Sequence, residues 1–295
     1  MATTITEHAS VVPSATYHPS LKSKLVISIQ NILMILVGLL IIFPIYWVLN
    51  LSFQTINQIF SLVPVWFPVT PILDWYQKVF QTAHFERPLM NSLIVSVSDT
   101  VCVLVLCSMT AYALSRLRFP FRRQLFIFLI ATMMVPEQVL MIPRYLMLLK
   151  FHWENTYQGL FVPYLGGAFG VFLLTQFFGS IPKDLDEAAK MDGANHLQIL
   201  IQIIVPLAKG PLIALGILDF LGNWNTFLWA LIAISNDNMR TVAIEAFFLQ
   251  GKTTGSAEIG MVFVGAVLTT LPVLLLYLFF QKDIVGSLGH LSLKG

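Results

Sequence analysis

The stretch Pro182-Lys-Asp-Leu-Asp-Glu187-Ala-Ala-Lys-Met-Asp192-Gly193-Ala is a short, charged and strongly helical segment between two long apolar runs. A loop that only reverses the chain between two helices needs about two to eight residues. Here the polar segment continues to about Lys209. Asp184, followed three residues later by Glu187, has the spacing of a capping box, and Gly193 then acts as a stop signal. The segment is therefore predicted to contain a helix of its own.

A second short helix is predicted in the same loop. Asn195 and Gln198 repeat the start signal, and Pro206 is expected to end or kink this helix. Two helices in a loop that needs none indicate a docking element for a soluble partner.

The same residues carry a family resemblance. Glu187-Ala188-Ala189, Asp192-Gly193 and Pro206 resemble the EAA loop of the permease subunits of bacterial ABC importers. In that family the loop holds the coupling helix that seats in a cleft of the ATPase subunit. Further segments are similar to the sugar and polyol branch, and more closely to its maltose-type second permease: Ala111-Tyr-Ala-Leu-Ser-Arg116, Val135-Pro-Glu-Gln-Val139, Asn155-Thr-Tyr157, Trp224-Asn225 and Lys294-Gly295.

The resemblance has consequences for sites and partners. It implies a sister permease subunit, two ATPase subunits, an extracytoplasmic solute-binding protein and a sugar or polyol substrate. ATP and Mg would be used by the partner ATPase, and no cofactor is expected on this chain. The residues that it assigns to ATPase coupling are Asp184, Glu187, Ala188, Ala189, Asp192, Gly193, Pro206 and Lys294.

Composition alone also predicts a membrane protein. The chain is 57% hydrophobic and 11% charged, with a mean hydropathy of +0.78, whereas soluble domains are about 25% charged. Crossing the hydrocarbon core takes about 20 mainly apolar residues. Six stretches qualify: 25–51, 93–114, 125–149, 160–179, 211–234 and 259–280. The predicted fold class is therefore an all-α integral membrane protein with six transmembrane helices, and by resemblance a type I ABC importer permease fold.

The distribution of Lys and Arg sets the expected orientation and domain plan. Basic residues crowd the loop 116–123, the loop 182–209 and both chain ends. The positive-inside rule therefore predicts a multi-pass membrane protein, in contact with lipid, with both termini and the loop 182–209 in the cytoplasm. The resemblance implies that this membrane is the bacterial cytoplasmic (inner) membrane. Three parts are expected: a flexible tail at 1–21 that is not a signal peptide, a permease domain at 22–285, and a tail at 286–295.

Several other functions are excluded. The sequence has no HExxH, GxSxG or CxxC motif, and Gly251-Lys252-Thr253 lacks the first glycine of a phosphate-binding loop. Cys102 and Cys107 point in different directions on one helix, so packing is favoured over a disulfide or a metal pair. A net charge of +2 without a basic face does not favour nucleic acid. No catalytic residue and no metal site are predicted, so the energy source lies in another chain or in an ion gradient.

Polar residues inside the spans are the remaining candidates, because ionisable groups there usually face a cavity or a partner. The fifth span carries a stripe at helical spacing: Gly216, Asp219, Gly222, Asn223 and Thr226. Such a stripe indicates either helix packing or a lining of the translocation path. Packing or an interfacial hydrogen bond is favoured for Asp99. The candidate path or gate residues are Met133, Glu137, Gln176, Asp219, Asn223, Trp224 and Asn225.

Two functions remain open on these grounds. The favoured one is a permease subunit driven by partner ATPases; the alternative is an ion-coupled secondary transporter in which Asp99, Glu137 and Asp219 bind protons or sodium. Such carriers typically show internal repeats, and none is evident between 25–149 and 160–280. The sequence leaves open which sugar, polyol or glycerol phosphate is carried, and whether this chain or its sister supplies the substrate site.

Overall fold

Every regular element in the described part of the chain is helical. The computed structural model describes residues 21–252 and 258–292; residues 1–20 of the tail predicted at 1–21 and the coupling residue Lys294 lie outside these ranges. The α-helices are α1 (Leu21–Ser52), α2 (Ile56–Ile59), α3 (Asp74–Thr82), α4 (Glu86–Arg116), α5 (Arg122–Thr132), α6 (Met141–Lys150), α7 (Tyr157–Phe161), α8 (Ala168–Ser180), α9 (Asp184–Met191), α10 (His196–Ile199), α11 (Val205–Leu207), α12 (Lys209–Trp224), α13 (Leu228–Ala233), α14 (Val242–Lys252) and α15 (Ile259–Ser292).

Tighter or wider turns join several of these helices. Glu137–Leu140, Val162–Tyr164 and Asp237–Met239 are 3₁₀ turns, and Leu200–Ile204 is a π-helical turn. The last helix continues to Ser292, so the segment 286–292 that was predicted as a tail is helical.

The chain divides into two compact units, with the boundary after Val48. The first unit contains most of α1, whose described side chains from Ile27 onward are largely apolar and exposed. Within it the rings of Phe43 and Trp47 stack with their centroids 5.9 Å apart. An apolar helix that buries almost nothing in its own unit has the surface of a helix surrounded by lipid.

Among the described residues, three helices are long and apolar enough to cross a membrane: Ile27–Ser52, Glu86–Arg116 and Ile259–Lys282. Three further spans are possible if each pair of helices joined at a bend counts as one span. The bends are 92° between Arg122–Thr132 and Glu137–Lys150, 51° between Tyr157–Tyr164 and Ala168–Ser180, and 84° between His196–Leu207 and Lys209–Trp224. The total of up to six agrees with the sequence prediction.

The third and fifth predicted spans are broken rather than continuous. In the third, the helix ends at Thr132 and resumes only after Pro136, which has no N–H to extend it. In the fifth, α12 ends at Trp224, and Asn225 is its C-cap. Thr226 therefore lies beyond the helix, and the predicted stripe stops at Asn223.

The core of the second unit forms where α4 packs against α8 and α12. Cys107 of α4 is buried, and its Sγ lies close to the backbone of Gly170 in α8, so a side chain at that glycine would collide with it. A side chain at Gly170 would also meet Leu215 of α12. Cys102 and Cys107 are both free thiols, and the packing role predicted for Cys107 is confirmed.

A tight approach at Gly159 generates a stability prediction. A Cβ at this position would overlap the carbonyl oxygen of Trp153, and the Gly159 carbonyl also accepts a hydrogen bond from Trp229 Nε1 at 3.2 Å. We expect Gly159→Ala to destabilise the protein by about 1–3 kcal/mol, as overpacking does. The measurement is the thermal unfolding midpoint in detergent. The control is Gly179→Ala, which would meet nothing within 4 Å; equal midpoints for the two variants would contradict this account.

Candidate functional site

The loop 182–209 holds the first helix predicted for it, with one correction at its start. Helix α9 begins at Asp184 itself, Lys183 is the N-cap, and no side chain caps the helix. The predicted capping box of Asp184 and Glu187 is therefore wrong. Both residues, with Asp186, instead lie in the first turn, where the positive end of the helix dipole favours carboxylates.

The end of α9 and the start of α10 match the sequence signals. Gly193 has φ +85°, and the hydrogen bonds Ala194 N to Ala189 O (2.9 Å) and Gly193 N to Lys190 O (3.0 Å) form a Schellman motif. Gln198 N then donates to Asn195 Oδ1 at 2.9 Å, and Asn195 N donates to Gln198 Oε1 at 2.8 Å. The predicted glycine stop and the second capping box are confirmed.

Pro206 marks the bend that returns the chain to the bundle. It lies in α11, directly after the π-helical turn Leu200–Ile204, and the next helix leaves at 84°. Because proline cannot donate to the carbonyl four residues earlier, the helix is interrupted at this point, as predicted.

The loop has one face against the bundle and one face free. Asp186, Ala189 and Ile199 are buried against it. Ala189, one of the predicted coupling residues, points inward, whereas Leu185, Ala188 and Asp192 are exposed. We call the free side the docking face; it comprises Leu185, Glu187, Ala188, Met191, Asp192, Leu197 and Ile201. Met191 is 88% exposed and Leu197 is 55% exposed, and apolar groups presented together in this way indicate a protein partner.

A buried ion pair fastens this loop to the end of α4. Arg116 Nε lies 3.6 Å from Asp186 Oδ2, with the two side chains only 2% and 9% exposed. Arg116 Nη2 also donates to Ile181 O at 2.8 Å. One turn earlier on α4, the Tyr112 hydroxyl is 3.2 Å from His196 Nδ1. The loop thus contacts α4 through polar side chains on both of its helices.

The second candidate site is a half-open cavity of about 330 Å³ in the second unit. The residues that line it are Asp99, Val103, Glu137, Tyr164, Gly167, Phe169, Gly170, Leu215, Leu218, Asp219, Gly222, Asn223 and Thr226. Three of the predicted path residues, Glu137, Asp219 and Asn223, meet here.

Hydrogen bonds join the acidic residues of the cavity through one amide. Asn223 Nδ2 donates to Asp99 Oδ2 in a very short contact and lies 3.5 Å from Asp219 Oδ2. Asp99 is 1% exposed, and its Oδ1 has no hydrogen-bond partner in the described part of the chain. The interfacial hydrogen bond predicted for Asp99 is therefore present, and this residue also lines the cavity.

Glu137 reaches the cavity from the bend in the third span. It opens the 3₁₀ turn after Pro136, and its Oε1 is 3.9 Å from Arg144 Nη1. The Arg144 guanidinium lies 4.2 Å from the centroid of the Tyr164 ring. A gating role for Glu137 stays a prediction, at a place where the backbone is already broken.

The other predicted path residues lie elsewhere. Trp224 is buried against α15, where its Nε1 donates to Thr269 O at 3.0 Å and its ring stacks on Phe220. Met133, Gln176 and Asn225 are exposed and do not line the cavity. A tryptophan whose polar atom is satisfied by backbone packs well without a ligand, so the geometry gives Trp224 a packing role.

The Asn155-Thr-Tyr157 segment anchors the other end of α4. Asn155, at φ +55°, accepts hydrogen bonds at its Oδ1 from Ser235 N (2.8 Å) and Asn236 N (2.7 Å). The Tyr157 hydroxyl donates to Asn91 Oδ1 at 2.8 Å. Helix α4 is therefore held at Asn91, contributes Asp99 to the cavity, and is tied to the loop 182–209 at Arg116.

Known proteins resemble this chain over most of its length. Residues 104–283 match the family model described as "Binding-protein-dependent transport system inner membrane component". The trehalose/maltose transport system permease protein MalG of Thermococcus litoralis is 33% identical over 88% of this chain and 94% of its own length. The diacetylchitobiose uptake system permease protein NgcG of Streptomyces coelicolor is 33% identical over 89% of this chain and 87% of its own.

A solved structure resembles the fold as well. It is a bacterial ABC transporter involved in the import of the acidic polysaccharide alginate, with a TM-score of 0.79, 25% identity, and coverage of 90% of this chain and 99% of the matched one. These findings support a permease, whose ATP hydrolysis is done by partner subunits, over the ion-coupled carrier and over an enzyme. The chain belongs to the inner membrane components of binding-protein-dependent transport systems, as the permease subunit of an ABC transporter.

Proposed function

We propose that this chain forms part of the path by which an ATP-driven importer moves a sugar or polyol across the bacterial inner membrane. The observation that carries the proposal is the docking face, which is free on one side and joined by Arg116–Asp186 to α4 on the other. The sugars in the names of the relatives support the substrate class.

The partners follow from the same arrangement. The docking face would seat in a cleft of an ATPase subunit, and that subunit would bind the ATP and Mg; no cofactor is assigned to this chain. A sister permease with its own loop would engage a second ATPase copy, and an extracytoplasmic binding protein would deliver the substrate. The basic loops support a cytoplasmic position for the docking face and for both termini.

Helix α4 would carry the motion from the ATPase to the cavity. When ATP closes the two ATPase subunits, the docking face moves with them. The Arg116–Asp186 pair transfers that displacement to the end of α4. Because α4 is one unbroken helix from Glu86 to Arg116, a displacement at Arg116 also moves Asp99 at the cavity. The bends in the neighbouring spans would absorb the change.

The turn at Gly193 provides the first test. We expect Gly193→Pro to leave the chain inserted but to abolish coupling, because proline cannot adopt φ +85°. Gly193→Asn is the matched control, since asparagine tolerates the left-handed region. The measurement is the ATPase activity of the reconstituted importer with and without its binding protein. Glu187→Lys, which puts a positive charge in the first turn of α9, should also lose the stimulation of ATPase activity by the binding protein. Full stimulation in Gly193→Pro at normal membrane levels would contradict the coupling role.

The buried ion pair provides the second test. We expect Arg116→Met to leave Asp186 buried without its partner, which costs about 3–5 kcal/mol for such a pair, and to reduce the ATPase stimulation strongly. The exchanged double variant Arg116→Asp with Asp186→Arg should recover a measurable part of the stimulation, whereas each single charge reversal should not. Two single reversals that each keep full activity would show that the pair transmits nothing.

A further inference from the structure

Acidic side chains line the cavity, and none of its described lining side chains is basic. Asp99, Glu137 and Asp219 contribute three carboxyl groups, and the other lining residues of this described cavity include no Lys, Arg or His. The nearby cation is Arg144. It is not among the lining residues, lies next to Glu137 and rests on the Tyr164 ring. An anion entering this space would lose its hydration and meet no positive charge in return.

The polar atoms of the cavity suit hydroxyl groups instead. Asp99 is almost fully buried, yet its Oδ1 has no hydrogen-bond partner in the part of the chain that the structure describes. This oxygen is itself buried, so the hydrogen bonds to a ligand hydroxyl come from the other carboxyl and amide groups of the cavity. Asp219, Asn223 and Glu137 also line it, so several such bonds can form to one polyhydroxylated molecule.

The remaining lining is largely apolar and includes two aromatic rings. Phe169 and Tyr164 line the same space, and aromatic rings provide apolar surface for the C–H groups of a sugar ring. Gly222 leaves room at the wall, because a Cβ there would meet nothing within 4 Å, whereas Gly167 and Gly170 pack against Cys107. A few placed polar groups in an otherwise apolar concave site are the usual composition of a small-molecule site.

We propose that this cavity selects uncharged polyhydroxylated solutes and rejects anionic ones, such as sugar phosphates and uronic acids, with Glu137 and Asp219 as the specificity-determining residues. This inference rests on the proposed import function and narrows its substrate class. It also distinguishes this chain from the structurally similar transporter of the acidic polysaccharide alginate.

The first experiment is uptake in cells that carry the complete importer, compared with cells that lack it. The probes are matched pairs: trehalose with trehalose 6-phosphate, glycerol with sn-glycerol 3-phosphate, and uncharged oligosaccharides with the corresponding uronates. We expect importer-dependent uptake of at least one uncharged probe and of no anion. Uptake of an anion overturns this inference and leaves the import function standing. Uptake of nothing in the panel overturns the proposed function, and this inference falls with it.

The second experiment separates the cavity from the binding protein. The purified permease–ATPase complex, without binding protein, is titrated with the transported sugar and with its phosphate. We expect the wild type to bind the neutral sugar at least about tenfold more tightly than its phosphate. A tenfold ratio corresponds to about 1.4 kcal/mol in binding free energy. Glu137→Gln and Asp219→Asn should each reduce that preference by about threefold or more, because each removes one carboxyl group at nearly constant size.

The matched control is Glu154→Gln, which changes an exposed acid outside the cavity and should leave the preference unchanged. Glu137 is itself largely exposed, at 69%, so its replacement does not disturb packing even if Asp219→Asn fails to fold. A preference that is the same in wild type, Glu137→Gln and Glu154→Gln would overturn the assignment of selectivity to this cavity.

Discussion

The ion pair between Arg116 and Asp186 is the interaction on which the mechanism depends. Taking two charges out of water costs several kcal/mol for each ion, and the attraction between them repays this only in good geometry. Here both side chains are almost fully buried and Arg116 donates to the carbonyl of Ile181, while Arg116 Nε, Arg116 Nη1 and Asp186 Oδ1 have no hydrogen-bond partner in the described part of the chain. The pair adds a charged link to the Tyr112–His196 contact and to the apolar packing of Ala189 and Ile199, which also join the loop to the bundle. The pair makes the loop part of the transmembrane bundle.

Helix α4 connects the ion pair at Arg116 with the cavity at Asp99. Its 31 residues would extend about 46 Å at 1.5 Å per residue, enough to pass from one side of a bilayer to the other. The neighbouring spans are bent by 51° to 92°. A continuous helix held at both ends, among helices that are already broken, provides a rigid element beside deformable ones. The acidic cavity lies along this helix at Asp99, where a displacement of α4 would change the shape of the proposed path.

The sequence predicted much of this because the signals concerned are local. The glycine at 193, the capping box of Asn195 and Gln198, and the proline at 206 each determine the backbone within one or two turns, and all three were found. Apolar length likewise predicted the spans. The predicted N-cap at Asp184 is wrong because the helix already begins at Asp184, one residue earlier than a cap at that position requires.

Contacts between distant segments could not be predicted in the same way. Arg116 looked like one basic residue among four in its loop, and Asp186 like one of several acids in α9. Only the packing of α4 against the loop shows that these two are buried together. Periodicity grouped Asp219 with Asn223 but not with Asp99, which comes from another helix. Trp224 was predicted for the path, whereas its Nε1 donates to Thr269 O and its ring is buried in the core.

The most direct test of the account is a site-specific photo-cross-link from Met191, the most exposed large apolar residue of the docking face. A photoreactive amino acid would replace Met191 in the importer in native membranes, and mass spectrometry would identify the adduct. The control position is Leu62, which is fully exposed in the loop predicted on the opposite side of the membrane. The account predicts an adduct between position 191 and an ATPase subunit with a nucleotide-binding motif, and none from position 62. An ATPase adduct from position 62, or none from position 191 in an intact complex, would contradict it.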